Sequence, residues 1–310
     1  MNSLLQCLFY IKDLRDYFIR EKNNFKNNQV VCKALSEVMY GLKNDPKDYF
    51  EAKQFKKEMG NKNSLFFGVK AGDAKDLFIN LIDSILTETT IDNDDQYSNG
   101  SIDLTDKNQV FKEMYKEVDM NNIINKLFIG FYETKYKCQK NPKDFIYSFS
   151  SESFISFNLE KTSNHFRNNY VTIENCFEYN YDRTYTTSFH CSKCNKTENN
   201  SANDIIYIPP EILVIVLDRG KGKSFKGNVL IDINLDLKCF IDHEKVQNNT
   251  KYKLIGVSTH SGTSSSSGHY TACCLTDNGK YYYFSDTYVH EINESKLFEN
   301  EPYLLFYKRI

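Results

Sequence analysis

The chain has 310 residues, 40% hydrophobic and 15% aromatic, with a formal net charge of −2. That length buries a substantial core, and the near-neutral balance supplies no basic field for nucleic acid. Its apolar runs fall short of the ~20 residues of a membrane span, the N-terminal apolar residues are periodic and broken by Lys12, Asp13 and Arg15, unlike a signal peptide, and nine irregularly spaced cysteines point to a reducing, intracellular compartment without a disulfide framework.

The chain opens on MNSLLQCLF. Leu4, Leu5, Leu8, Ile11 and Leu14 fall at helical spacing. No N-cap or capping box precedes them, so the first residue is already inside the first turn. KALSEVMYGL sets Leu35, Val38, Met39 and Leu42 on a second apolar face, and GDAKDLFINLIDSIL places Ala74, Leu77, Phe78, Leu81, Ile82 and Leu86 on a third. Residues 88 to 108 are polar and aperiodic and read as a long mobile surface loop. Near residue 127 the period changes. FIYSFSSESFISFNLE alternates, and DIIYIPPEILVIVLDR, VLIDINLDLKCF, YKLIGVSTH, HYTACCLT, KYYYFSD and PYLLFYKR follow as β-branched or aromatic runs bounded by turn residues. The expected class is α+β, a helical lobe followed by a β lobe.

SGTSSSSGHYTACC runs a Ser/Gly loop into Gly268, His269 and Tyr270 at the mouth of a strand. A histidine there suits a general base facing a cleft. KYYYFSD ends a strand with Ser285 and Asp286, which on an adjacent antiparallel strand supply an orienter for His269. The same pair also suits a purely structural hydrogen bond. No cysteine completes the set as a nucleophile. Cys273 and Cys274 share the strand of His269, and Cys7 sits among leucines of a helix. Cys32 and Cys239 have apolar surroundings, and Cys176 has no helix N-terminus evident to lower its pKa. His260 is given a strand-end hydrogen bond and no chemistry.

HCSKC holds Cys191 and Cys194 as a CxxC knuckle, half of a tetrahedral zinc site. Cys138 in KYKCQKNP is the best candidate for the other half, but the position three later is Asn141. The metal reading is a structural zinc on Cys138, Cys191 and Cys194 with its ligand set incomplete; an empty vestige is the alternative. No cofactor is expected for catalysis.

Together these stretches resemble the ubiquitin-specific protease family of deubiquitinating cysteine peptidases. YKLIGVSTHSGTSSSSGHYTACC resembles the histidine box, KYYYFSDTYV the strand of the third triad member, PYLLFYKR the C-terminal strand and EILVIVLDR the strand after the fingers. GDAKDLFINLIDSIL is similar to the family's Asp-Ala-x-Glu-Phe helix, with Asp76 for the Glu and Leu77 for the Phe. Cys138 and CSKC fall where the family's fingers carry paired zinc knuckles. MNSLLQ looks like the tail of the cysteine box, Gly-Asn-Thr-Cys-Tyr-Met-Asn-Ser-x-Leu-Gln. The resemblance puts the nucleophilic Cys, and the Asn of the oxyanion hole, just ahead of Met1. A thiolate belongs at that helix N-terminus, and the chain has the helix without the thiol.

The resemblance implies one catalytic domain with a papain-like cysteine peptidase fold: a helical thumb over residues 1–125, β fingers with a degenerate zinc ribbon over 126–204, and a β palm with the histidine box over 205–310. His269 is the implied base, then acid. Ser285 stands where the family usually has Asn or Asp. It shares the orienting role with Asp286, which is at least as important, and activation is weaker because Ser offers no full charge. Residues 261 to 268 border and gate the channel for the ubiquitin tail. The implied activity is hydrolysis of ubiquitin C-terminal (iso)peptide bonds, with ubiquitin and ubiquitinated proteins as partners, neither nucleic acid nor membrane, and a cytoplasmic or nuclear location. The alternatives are an inactive ubiquitin-binding pseudo-protease and, third, a zinc-ribbon scaffold with no ubiquitin role.

Overall fold

The computed structural model describes residues 1–44, 50–68, 72–90, 102–138, 140, 145–191, 194–242, 244, 249–264 and 267–310. The chain begins with helices α1 (Asn2–Phe9), α2 (Lys12–Arg20), α3 (Val30–Asn44), α4 (Lys53–Lys62), α5 (Ala74–Thr89), α6 (Lys107–Lys116) and α7 (Ile123–Phe128). Then come β1 (Gly130–Lys137), β2 (Phe145–Glu152), β3 (Ile155–Asn158), α8 (Leu159–Phe166), β4 (Tyr170–Thr172) and α9 (Ile173–Tyr181). The rest is strand: β5 (Tyr185–Cys191), β6 (Lys196–Ile208), β7 (Ile212–Asp218), β8 (Asn228–Leu230), β9 (Asn234–Asp236), β10 (Lys251–Ser264), β11 (Ser267–Leu275), β12 (Tyr281–Ser285), β13 (Tyr288–Ile292) and β14 (Pro302–Arg309). The fold is α+β, as the change of period implies.

Four expectations need correction. The opening helix is two helices, broken at Tyr10, with the extended Ile11 starting α2. Leu4, Leu8, Ile11 and Leu14 all enter one core, so the apolar spacing runs through a break that neither Gly nor Pro marks. The polar stretch 88 to 108 is not all loop. Helix α5 runs to Thr89, and α6 starts at Lys107 behind the cap Asp106; residues 91–101 lie outside the described residues. The strand-rich half contains α8 and α9, opened by an Asn158 cap and by a Thr172/Asn175 capping box. Each buries only a few side chains, which is too weak a stripe for periodicity to show. Finally, the Ser/Gly stretch is mostly hairpin, with β10 reaching Ser264 and β11 starting at Ser267; residues 265–266 lie outside the described residues.

Among the described residues the largest sheet runs β13-β12-β11-β10-β14-β7-β3, with β9 also on β10. Strand β7 shows how it is held. Ile212, Val214 and Val216 enter a core shared with α1–α5 and α7, while Leu213, Ile215 and Leu217 enter a second core with α8 and α9. A strand covered on both faces is apolar throughout. A four-stranded sheet, β2-β1-β6-β5, and a parallel pair, β4 with β8, complete the fold. Helix α1 lies against β10 and β11. Ser258 on β10 donates to Ser3 Oγ at 3.1 Å, and a Cβ on Gly256 would already stand 3.4 Å from Cys7 Sγ. The N-terminus of α1 is thereby fixed beside the start of β11.

Candidate active site

His269 enters on β11 and Ser285 ends β12, and the two strands pair antiparallel with Ala272 opposite Phe284. That register brings His269 Nε2 to 2.7 Å from Ser285 Oγ. In the tautomer whose Nε2–H donates to Ser285, Nδ1 keeps its lone pair to take a proton. Gly268 precedes His269 for a steric reason. A Cβ there would lie 2.2 Å from His260 Nε2, and His260 is buried and stacked on Tyr270 at 4.4 Å. His260 is therefore packed at the hairpin's base, with its backbone N–H donating to Glu301 O at 2.9 Å. Burial, and then the neighbouring Lys223, lower its pKa.

Asp286 does not hydrogen-bond His269 in this arrangement. It adopts a left-handed conformation, φ 49°, and its Oδ1 accepts from Asn2 Nδ2 at 2.9 Å. The two residues expected to share one role thus face different ways, Ser285 to the imidazole and Asp286 to the first turn of α1. His269 and Asp286 border one site, with Ser285 behind the imidazole. A cavity of about 290 Å³ is lined by Met1, Asn2, Lys56, Asp73, His269 and Asp286, among others. Asn2 and Asp73 were not singled out as site residues by sequence reasoning. Asn2 was visible inside MNS, but its partner lies 284 positions away.

None of the nine cysteines is among the residues lining this cavity. Cys7 and Cys274 are buried together, their sulfurs 3.9 Å apart. Burial pushes the Cys273 thiol up to about 12. Cys176 does lie in the first turns of a helix, α9, contrary to the sequence reading. Burial still pushes its thiol up to about 12, outweighing the hydrogen bond with Thr162. Cys239, expected in apolar surroundings, is exposed on a short turn at Lys238–Phe240.

The sulfurs of Cys138, Cys191 and Cys194 gather within 4.8 Å of one another. Cys138 and Cys194 are 3.7 Å apart, close to the ~3.8 Å between thiolates on one tetrahedral zinc. The cluster can hold a zinc ion. Among the described residues no fourth His, Cys or carboxylate joins it; Asn141 lies outside them, and His190 Nδ1 sits 3.3 Å from Thr197 Oγ1.

The chain as a whole is similar to known proteins. The profile of the family described as "Ubiquitin carboxyl-terminal hydrolase" matches residues 1–307. Ubiquitin carboxyl-terminal hydrolase 17-like protein B of Mus musculus is 22% identical over 99% of the chain and 61% of its own length. Ubiquitin carboxyl-terminal hydrolase 8 of Saccharomyces cerevisiae is 24% identical over 99% of the chain and 68% of its own length. The chain thus spans about two thirds of these relatives. The solved SAGA DUB module Ubp8/Sgf11/Sus1/Sgf73 bound to monoubiquitin superposes with a TM-score of 0.76 at 18% identity, over 100% of this chain and 66% of that one. The same module bound to ubiquitin aldehyde gives 0.73 at 19% identity, over 100% and 67%.

Proposed function

This chain belongs to the ubiquitin carboxyl-terminal hydrolase family, and from that membership we propose that it carries the acid–base and ubiquitin-binding machinery of a deubiquitinating thiol peptidase. Its fold is the papain-like fold of that family. The observation that carries the proposal is the 2.7 Å contact of His269 Nε2 with Ser285, with His269 lining a cavity that also takes in the N-terminus of α1. Residues 1–125 act as thumb, 126–204 as fingers and 205–310 as palm. Ubiquitin lies against fingers and palm, and its C-terminal tail threads between thumb and palm toward His269.

The reaction places a thiolate at the N-terminal end of α1, where the helix dipole favours the anion. His269 takes the thiol proton on Nδ1, the nitrogen that Ser285 leaves free. Sulfur adds to the (iso)peptide carbonyl, the C–N bond breaks, and the proton passes to the departing amine. Water, deprotonated in turn by His269, cleaves the thioester to a carboxylate and a thiol. Asp286 supports the site through Asn2 on α1. Cys138, Cys191 and Cys194 hold a structural zinc in the fingers that takes no part in these steps.

A second reading, a chain that binds ubiquitin without cleaving it, is favoured by the cavity lining, which holds no cysteine among the described residues. One experiment separates the two. Turnover of a ubiquitin C-terminal fluorogenic substrate is measured for the 310-residue chain and for the chain preceded by Gly-Asn-Thr-Cys-Tyr. The expected result is none for the first and alkylation-sensitive turnover for the second. Inactivity of both, with ubiquitin still bound, establishes the second reading. Robust alkylation-sensitive turnover by the unextended chain overturns the placement of the thiol.

A further inference from the structure

The cavity holding His269 has a neighbour. A second cavity, of about 230 Å³, is bordered by Lys223, His260, Glu301 and Tyr303. Asp73 and Tyr270 line both, so they form the partition between the two. The partition is held by hydrogen bonds from one lobe to the other. On the helical side stands the start of α5, where Asp73 Oδ1 caps the helix by accepting from Lys75 N at 2.7 Å and Asp76 N at 3.3 Å. On the sheet side, the Tyr303 hydroxyl of β14 donates to the same carboxylate, 2.7 Å from Oδ1 and 2.8 Å from Oδ2. Tyr270, next to His269, stacks on His260. Farther out, Lys223 Nζ reaches His260 O at 3.3 Å and pairs with Glu301.

We infer that the Tyr303–Asp73 hydrogen bond is a latch that bars an extended peptide tail from passing between the two cavities to His269. The inference rests on the reading of the chain as a ubiquitin-tail hydrolase. A tail that runs from the outer cavity to the imidazole must cross the partition, and the partition cannot part while phenol and carboxylate are joined. The bond is charge-assisted, which makes the closed state the resting one. It is also separable without loss of the fold. When Tyr303 leaves, Asp73 still accepts from Lys75 N and Asp76 N, so α5 keeps its cap, and both partners are half-buried and within reach of water. The latch is therefore a two-state element, and its closed fraction reduces the apparent affinity for the tail.

The test is a binding titration with the full chain. Ubiquitin and ubiquitin lacking its C-terminal Gly-Gly are each titrated into the unaltered chain and into Tyr303→Phe, which keeps the ring and removes the donor. Tyr303→Phe is expected to bind intact ubiquitin about tenfold more tightly, with no gain for the shortened form. Equal or weaker binding of intact ubiquitin by the variant overturns the latch and leaves the functional reading standing. An equal gain for the shortened form also overturns it, because the effect then has nothing to do with passage of the tail. Absence of ubiquitin binding by both proteins overturns the functional reading and the latch with it. Should Tyr303→Phe not fold, Asp73→Asn carries the same test, since Asn caps a helix as well as Asp while giving the phenol a neutral acceptor.

Discussion

Ser285 gives His269 a hydroxyl where a carboxylate would bring a full charge. The contact holds the ring at 2.7 Å, and under the proposed mechanism it would do little to stabilise an imidazolium. In the chain preceded by Gly-Asn-Thr-Cys-Tyr, Ser285→Ala is expected to lower kcat about tenfold with KM unchanged, because the ring loses its hold while Ser285 itself does not line the cavity. His269→Ala is expected to abolish turnover while ubiquitin binding, followed by titration, stays as it was. A Ser285→Ala variant that raises KM instead would place the hydroxyl in the substrate interface. At this scale the sequence was informative where chemistry needs a residue type at a fixed local spacing. Gly268-His269-Tyr270 and Phe284-Ser285-Asp286 are such runs, and the steric need for Gly268 beside His260 explains why the glycine stands there. What the sequence could not express is a contact between distant positions. The Asn2–Asp286 bond and the Tyr303–Asp73 bond are made by tertiary packing, and no local pattern encodes them.

At the scale of elements, Glu88 shows why a polar stretch was misread. It lies in the last turn of α5 with its side chain 4% exposed. Its carboxylate receives Val31 N at 3.0 Å and Cys32 N at 2.9 Å, and Lys62 stands 3.3 Å away. It therefore caps α3 from a different helix, a role that amphipathic spacing cannot reveal because the residue is buried for its charge. Glu88→Ala leaves two backbone N–H groups unpartnered at the start of α3 and is expected to destabilise the chain by about 2 kcal/mol, read as a lower urea midpoint. A change within a few tenths would mean that water replaces the carboxylate. The CxxC of Cys191 and Cys194 was legible because thiolate spacing is local, and Cys138, the sequence's candidate for the other half, meets it in the fold. Zinc added to metal-free protein is expected to slow hydrogen exchange in β1, β5 and β6, and Cys194→Ser to remove that response. An identical response in Cys194→Ser would place the metal elsewhere. The helices α8 and α9 escaped the sequence reading because each is short and buries few side chains; their side-chain caps were the clearest local signal.

Across the whole molecule, one ion network joins parts of the chain far apart in sequence. Lys107 at the start of α6 stands 2.8 Å from Glu133 Oε2 on β1 and pairs with Asp242. Glu133 and Asp242 have side chains only 4% and 9% exposed, and the backbone of Asp242 is held by its N–H donating to Ile206 O on β6 at 2.9 Å. Desolvation lowers the Lys107 pKa, but the hydrogen bond to Asp242 and the adjacent Glu133 carboxylate outweigh it and the net shift is upward. Desolvation raises Glu133, and Lys107 opposes that without cancelling it. The folded chain therefore holds a proton on Glu133 more readily than the unfolded chain. Its contribution to stability is largest below the ordinary carboxylate pKa and is lost as pH rises through the raised folded value. Lys107→Met removes the main opposing cation, leaving only the weaker pull of Lys135 among the described residues, and leaves two buried carboxylates facing one another. The expected cost near pH 7 is about 3–5 kcal/mol. The folded pKa of Glu133 then climbs further, so the variant is expected to gain stability between pH 7 and pH 5, where the unaltered chain changes less. Urea midpoints at the two pH values decide it. A variant that weakens on acidification would mean that the two carboxylates part and reach water once the lysine is gone, and that the link from α6 through β1 to the segment after β9 is made by packing rather than by charge.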